Sequence, residues 1–185
     1  DPIRDNDIID AELQLEDLET VESRIQKIEK QVRVGGDKQA KVALDVLLKY
    51  REALSQGRSA RTVELVNKDE EQVAKETMLL TSKPVLYVCN VDENSAVNGN
   101  AYVEQVREAV KDENAQVLVV AAKIESEIAE LETYEERQMF LDEIGLSESG
   151  VRRLIKAAYA LLDLRTFLTA GSDEVRAWTF KAGSK

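Results

Sequence analysis

The sequence predicts an α/β protein: part of a parallel sheet with an inserted antiparallel helical hairpin, followed by the beginning of a separate β-rich domain. Three observations support this fold class. Apolar residues follow coiled-coil spacing through the first part of the chain, a strand–helix–strand pattern lies near its middle, and strand-forming residues dominate from Leu164 onwards. The chain has 185 residues, a length that suits one domain with an extension.

The hairpin is predicted from two apolar seams. A helix over residues 8–32 has apolar residues every three or four positions, namely Ile8, Ala11, Leu15, Leu18, Val21, Ile25, Ile28 and Val32. Gly35-Gly36-Asp37 predicts a turn, after which a second helix has its seam at Ala40, Ala43, Leu47, Tyr50 and Leu54. The two seams can be buried only against each other, which predicts an antiparallel pair. A third helix over residues 68–80 returns the chain to the base of the hairpin.

The sheet is predicted from two short apolar runs, residues 85–89 and 117–121, which we expect to be buried strands. An amphipathic helix over residues 101–111 lies between them, so the three elements form a βαβ unit with parallel strands. Two strands do not complete such a sheet. We therefore expect further strands upstream of residue 1, in a longer protein of which this chain is an internal piece.

The remaining elements are helices and a β-hairpin. Residues 124–162 are predicted to be helical in two or three pieces, with Ser147 or Ser149 as an N-cap for the last. Strand-like residues 166–169 and 175–180 flank a polar turn. The glutamates of residues 125–136 have a helical spacing that favours a solvated face over a metal site; they are Glu125, Glu127, Glu130, Glu132, Glu135 and Glu136.

Composition excludes several classes of protein. The sequence has no histidine, which excludes Ser-His-Asp and Cys-His catalysis and every His-ligated metal or haem site. Its single cysteine, Cys89, forms no internal disulfide and fits a reducing cytoplasmic compartment. No apolar run approaches the roughly 18 residues that a membrane span needs, and no signal peptide is visible, so no membrane partner is expected.

Charge divides the chain into two parts. The net charge of −11 argues against general nucleic-acid binding. Residues 22–68, however, contain 11 Lys and Arg but 6 Asp and Glu, a net charge of +5, so the rest of the chain carries −16. This division predicts two surfaces with different partners.

Ligands of open α/β sheets bind at the carboxyl ends of the parallel strands. Here the residues at those ends are 90–93 and 121–123. An asparagine amide can brace the neighbouring loop, a carboxylate three positions later can accept hydrogen bonds from a heterocycle, and small residues leave room for a flat base. These features predict a nucleobase pocket. The alternative from spacing alone is a turn with solvated acids.

Residues 83–93 resemble the Obg-like ATPase (YchF) family, a branch of the P-loop GTPases related to translation factors. Ordinary GTPases recognise the base with Asn-Lys-x-Asp, whereas this branch has Asn-x-x-Glu. Asn90 and Glu93 match that pattern, and Val91 replaces the lysine. Ala121-Ala122-Lys123 resembles the second base loop, which is usually Ser-Ala-Lys, so a hydroxyl contact is absent. The resemblance implies that these residues bind the base of ATP or GTP.

The resemblance extends along most of the chain and implies a domain organisation. Residues 1–142 correspond to the C-terminal part of the P-loop NTPase (G) domain, with the helical hairpin inserted at about 8–80. Residues 143–163 correspond to a linker helix, and residues 164–185 to the beginning of a β-grasp TGS domain. The segments that carry this likeness are 1–5, 140–146, 150–155, 164–171 and 174–179.

The resemblance also implies nucleotide hydrolysis, but this chain lacks the sequence motifs that hydrolysis requires. None of the eight glycines belongs to a Gly-x-x-x-x-Gly-Lys-Ser/Thr motif, and the switch segments and the family's catalytic histidine are absent. We expect no catalytic residue and no metal ligand in this chain. Phosphate and Mg²⁺ binding, and hydrolysis of ATP or possibly GTP, are expected of the full-length protein.

The basic hairpin is a second candidate surface. The resemblance implies ribosome association, and contact with ribosomal RNA would use positive residues near the turn, namely Lys27, Lys30, Arg33, Lys38 and Lys41. The alternative is an ordinary solvated coiled coil. For the whole chain, the alternative function is a non-enzymatic helical-hairpin adaptor or RNA-binding module in which the βαβ unit is only a scaffold.

Overall fold

A computed structural model describes residues 1–35, 38–113 and 115–184. The chain divides into two compact units, Asp1–Pro84 and Val85–Lys185. The first is helical and contains α1 (Pro2–Arg33), α2 (Lys38–Ser55), a short 3-10 helix (Ala60–Thr62) and α3 (Lys68–Thr77).

Helices α1 and α2 form the predicted hairpin, which we call the arm. The first turn of α2 lies beside Ile28 and Gln31 of α1, whereas Gly57, just beyond the end of α2, approaches Gln14. The helices are therefore antiparallel. The core between them and the following segment is built from Val21, Ile25, Val46, Leu47, Tyr50, Leu54, Ala60 and Leu79. Of the predicted turn, Gly35 has a φ of 102°, and Gly36 and Asp37 lie outside the described residues.

The seam prediction is wrong in the first half of α1. Ile8 and Leu15 are 49% and 65% exposed, although both continue the apolar spacing. For Ile8 the reason is length: α1 has 32 residues and α2 has 18, so α2 ends opposite Gln14 and does not cover the turns before it. Leu15 is exposed because the buried face of α1 runs through Asp17, Val21 and Ile25, and Leu15 lies about 120° round the helix from it. Helix α1 also begins earlier than predicted, because Asp1 caps it and Pro2 occupies its first turn.

A buried carboxylate closes the base of the arm. Asp17 of α1 is 2% exposed and accepts hydrogen bonds from the backbone N–H groups of Leu80 and Thr81 and from the Thr81 hydroxyl, each 2.7 Å long. The Thr81 hydroxyl oxygen accepts in turn from the Ala60 N–H at 2.9 Å. Helix α3 stops at Thr77 instead of Leu80, since Met78 adopts a left-handed conformation.

The second unit contains four strands and four α-helices among its described residues. They are β1 (Leu86–Asn90), a 3-10 helix (Glu93–Ser95), α4 (Ala101–Ala109), β2 (Gln116–Val120), α5 (Ala122–Glu130), α6 (Tyr134–Glu143), α7 (Gly150–Leu161), β3 (Leu164–Ala170) and β4 (Val175–Lys181). Ser149 is the N-cap of α7, one of the two serines predicted for that role.

Strands β1 and β2 pair in parallel, from Leu86 opposite Gln116 to Asn90 opposite Val120, as the βαβ pattern predicts. They are less buried than expected: Val88 is 47% exposed, and Cys89 is only partly buried. Within the described residues this sheet has two strands, which leaves part of its surface uncovered. Burial still raises the pKa of the Cys89 thiol, against the opposing charge of Arg107.

Strands β3 and β4 form the predicted antiparallel hairpin, from Leu164 opposite Lys181 to Ala170 opposite Val175. Phe167 and Phe180 meet edge to face with ring centroids 5.7 Å apart, and the Trp178 indole donates a 2.9 Å hydrogen bond to Thr169. In the part of the chain that the structure describes, no helix has the length and apolar character needed to cross a membrane.

Candidate functional site

The carboxyl ends of β1 and β2 lie side by side, which places residues 90–93 next to residues 121–123. Asn90 pairs with Val120 in the strand register, and the Val91 N–H donates a 2.9 Å hydrogen bond to the Val120 carbonyl. The two segments that the sequence proposes as a base pocket are therefore neighbours.

Asn90 joins the two segments through its side chain. Its Oδ1 accepts a 3.0 Å hydrogen bond from the backbone N–H of Ala122, the first residue of α5. The first N–H groups of a helix lack intrahelical partners, and Ala121 at the N-cap position has no side chain to satisfy them. Asn90 supplies that acceptor from the neighbouring strand, and so fixes the start of α5 against the end of β1.

Glu93 and Lys123 form an ion pair across the same two segments. The hydrogen bond to Glu93, together with the charge of its carboxylate, raises the pKa of Lys123. The two side chains are 47% and 71% exposed, so the pair contributes little to stability. It places the Glu93 carboxylate beside the second loop and keeps both groups accessible from solvent.

The other side chains of these two segments serve packing and helix capping. Ala121 is buried and Val91 packs against the same apolar cluster, formed by Ala96, Ala121, Ile124, Ile128, Leu141 and Leu146. Asp92 caps the following 3-10 helix by accepting a 2.9 Å hydrogen bond from the Ser95 N–H. The side chains of Val91 and Ala121 are therefore used for packing, whereas Glu93 is the acid of this turn that pairs with the neighbouring loop.

The role of Glu125 differs from the one that its helical spacing predicts. Glu125 is not part of a solvated face, because its carboxylate accepts hydrogen bonds from the N–H groups of Gly150 and Val151, at 2.6 and 3.1 Å. These two residues begin α7, 25 and 26 positions further along the chain. No local pattern reveals a contact at that separation. Among the described residues, no group of three or more acidic or cysteine side chains is placed to hold a metal ion.

The basic residues proposed at the arm tip all have exposed side chains: Lys27, Lys30, Arg33, Lys38 and Lys41. The three on α1 are three positions apart, which spreads them over about a third of the helix circumference. They form a positive surface around the described ends of α1 and α2.

Known proteins similar to this chain align with it over its whole length. A ribosome-binding ATPase YchF from Bacillus subtilis is 51% identical over 187 residues, and an Obg-like ATPase 1 from Homo sapiens is 38% identical over 189; both alignments cover 100% of this chain. The structure of the Schizosaccharomyces pombe YchF GTPase matches with a TM-score of 0.86 at 25% identity, over 100% of this chain and 50% of that one. No protein-family model matches the sequence.

The chain belongs to the YchF family of Obg-like ATPases.

Membership of the YchF family confirms the resemblance noted in residues 83–93, and the structural match confirms the predicted fold class. The chain spans about half the length of the curated relatives that it matches, 50% for the Bacillus subtilis protein and 47% for the human one.

Proposed function

We propose that the second unit carries the base-recognition half of a nucleotide site, in a full-length ribosome-associated ATPase that binds and hydrolyses ATP or GTP. In this proposal residues 1–142 belong to a G domain with the hairpin inserted at about 8–80. Residues 143–163 form a linker, and residues 164–185 begin a TGS domain. Relatives named ribosome-binding ATPase YchF support the overall activity.

The observation that carries the proposal is the hydrogen bond from Ala122 to Asn90. It holds the Ala121–Lys123 backbone beside the end of β1, where the Glu93 carboxylate pairs with Lys123. A carboxylate can accept hydrogen bonds from the exocyclic amine or ring N–H of a purine, and a flat ring fits against small residues. Adenine and guanine both present such donors, so the proposed ligand class is a purine nucleotide.

Phosphate and Mg²⁺ do not fit the residues present. The 185 residues contain no Gly-x-x-x-x-Gly-Lys-Ser/Thr segment, and the described ranges hold no metal-binding cluster. We assign those contacts, and the catalytic step that depends on them, to other parts of the full-length protein. The contribution of this chain is to bind and orient the base.

Substitution of Asn90 by alanine in the full-length protein tests this function. Without the Asn90 acceptor the start of α5 is released, so the affinity for ATP with Mg²⁺ should fall about three- to tenfold, as expected for one lost hydrogen bond. The affinity for inorganic tripolyphosphate, which has no base, should not change. Asn98→Ala, in the exposed loop after β1, is the matched control. Calorimetric titration gives both affinities, and equal losses for the two ligands would contradict a base-binding role.

The positive surface of the arm favours a second, compatible function, which is contact with ribosomal RNA. Its five exposed basic side chains lie in the part of the chain that has a net charge of +5. Counterion release from RNA phosphates would drive such binding. A helical adaptor without nucleotide binding remains the alternative for the whole protein, and the Asn90 titration separates the two hypotheses.

A further inference from the structure

We infer that Glu125 is a positioning residue of the base site: it ties the first turn of α5, where the second base loop ends, to the N-terminus of α7. The inference rests on the proposed base-binding function. It adds that the geometry of the base loop and the position of α7 are set by one carboxylate.

The contact is bidentate. Oε1 of Glu125 accepts from the Gly150 N–H at 2.6 Å, and Oε2 accepts from the Val151 N–H at 3.1 Å. The Ser149 hydroxyl accepts from the Arg152 N–H at 3.2 Å, so the first three N–H groups of α7 all have acceptors. A carboxylate at a helix N-terminus is also stabilised by the helix dipole. Glu125 is therefore held firmly to α7.

The same glutamate is held firmly to the base loop. Its backbone N–H donates a 3.1 Å hydrogen bond to the Ala121 carbonyl, in the first turn of α5. The N–H of Ala122, in that turn, is bound by Asn90. Asn90 thus fixes this turn from the strand side, and Glu125 fixes it from the side of α7.

Close packing reinforces the contact. A Cβ added at Gly150 would lie 2.9 Å from Oε1 of Glu125, so one of the two must shift, and 3.0 Å from Cγ1 of Val120, which is tighter than an ordinary contact. Farther along α7, the Arg153 guanidinium donates a 2.9 Å hydrogen bond to the Val119 carbonyl of β2. Helix α7 is therefore seated against the end of β2, directly before the base loop.

Coupling of this kind is reciprocal. If the Glu125 carboxylate fixes the conformation of the base loop, a bound base should in turn stabilise the start of α7. A ligand without a base should leave the start of α7 unchanged.

Glu125→Gln in the full-length protein is the first test. The glutamine amide keeps the size of the side chain but presents an N–H donor where one acceptor oxygen was. ATP affinity should fall about fivefold to tenfold, with tripolyphosphate affinity unchanged. Glu130→Gln, at the other end of α5, is the matched control and should change neither affinity. If Glu125→Gln lowers the melting temperature but leaves the ratio of the two affinities unchanged, Glu125 is only structural and the inference is overturned.

Gly150→Ala tests the contact from the other side. Alanine favours a helix more than glycine does, so helix propensity alone would stabilise α7. The steric conflict with Glu125 and Val120 predicts instead the same selective loss of ATP affinity, and the two substitutions should combine less than additively. Additive losses, or no loss with Gly150→Ala, would overturn the inference.

Hydrogen exchange of the unmodified full-length protein gives a test that does not depend on any variant folding. ATP should slow amide exchange at the start of α7, around Gly150 and Val151, and tripolyphosphate should not. Equal protection by the two ligands would contradict the inference. Asn90→Ala distinguishes failure of the proposed function from failure of this inference. If the ratio of ATP affinity to tripolyphosphate affinity is unchanged in Asn90→Ala, both the proposed function and this inference are rejected. If that ratio falls in Asn90→Ala but is unchanged in Glu125→Gln, only the inference is rejected.

Discussion

Glu70 shows how a single residue links two elements of the first unit. It is buried at the start of α3, and both of its carboxylate oxygens lie 2.9 Å from the Lys49 ammonium of α2. It also accepts a 3.0 Å hydrogen bond from the Val66 N–H. The Lys49 hydrogen bond, followed by that from Val66, lowers the pKa of Glu70 below its ordinary value.

This shift predicts a pH dependence of stability. Because the pKa of Glu70 is lower in the folded chain than in the unfolded one, the ionised carboxylate stabilises the fold above the ordinary value of 4.5. That contribution is lost as the pH falls through the lowered folded pKa. The melting temperature of Glu70→Gln should therefore lie below that of the parent protein at neutral pH, and the difference should shrink under acid conditions.

Thermal unfolding over a series of pH values measures this difference. Glu71→Gln, an exposed neighbour on the same helix, should show no such pH-dependent gap. The difference in melting temperature between the parent protein and Glu70→Gln could instead stay constant from neutral pH to below the folded pKa of Glu70. That result would show that the charge of Glu70 does not stabilise the fold.

At the scale of an element, the arm combines an apolar seam with a positive tip. Its buried residues are Val21, Ile25, Val46, Leu47, Tyr50 and Leu54, whereas the five basic residues of the tip are exposed. The seam determines whether the hairpin forms, and the tip determines its electrostatic field. The two properties can therefore be changed separately.

Reversal of four tip charges, Lys27, Lys30, Lys38 and Lys41 to Glu, should weaken ribosome binding by the full-length protein and leave its helicity nearly unchanged. If each lysine neutralises one RNA phosphate, the slope of log affinity against log salt should decrease by about three. Co-sedimentation with ribosomes over a salt series measures this, and circular dichroism checks the fold.

The matched control reverses four exposed basic residues outside residues 22–68 and outside α3, namely Lys83, Arg107, Lys111 and Lys156. It changes the net charge by the same amount. If control and tip variants lose binding equally, only total charge matters. If neither loses binding at low salt, the β3–β4 hairpin becomes the better candidate for the ribosomal contact.

At the scale of the whole molecule, the sequence contains the candidate base-recognition residues Asn90 and Glu93 but no Gly-x-x-x-x-Gly-Lys-Ser/Thr segment. Phosphoryl transfer depends on holding the γ-phosphate and a metal ion in place, and no phosphate-binding glycine loop occurs in the sequence. We therefore predict that the 185-residue chain by itself does not hydrolyse ATP or GTP above background.

Steady-state phosphate release from the purified 185-residue chain checks this prediction, with the full-length protein as the positive control. Turnover that rises with the concentration of the chain and survives a second purification would contradict it.

How much could be predicted from the sequence depends on the range of the interactions involved. Helix spacing and strand composition are local, and they predicted the arm, the βαβ unit and the C-terminal hairpin, with the largest error at the start of α1, which begins at Pro2 instead of Ile8. The position of the candidate site could also be proposed from the sequence, because residues that directly follow neighbouring parallel strands meet at one edge of the sheet. That Asn90 and Glu93 bind a base stays a prediction.

The sequence by itself therefore determined which segments are helices and strands and where the candidate base loop lies. Only the tertiary structure decided which part of the α1 seam is buried, and which polar groups meet. Asn90 reaches Ala122 over 32 positions, Glu125 reaches Gly150 over 25, and Asp17 reaches Thr81 over 64. Each of these contacts satisfies backbone N–H groups at the start of a helix or in a turn, and its acceptor comes from a distant segment. Packing of the whole unit fixes the path of the chain between the two groups, so a local sequence pattern cannot predict that they meet.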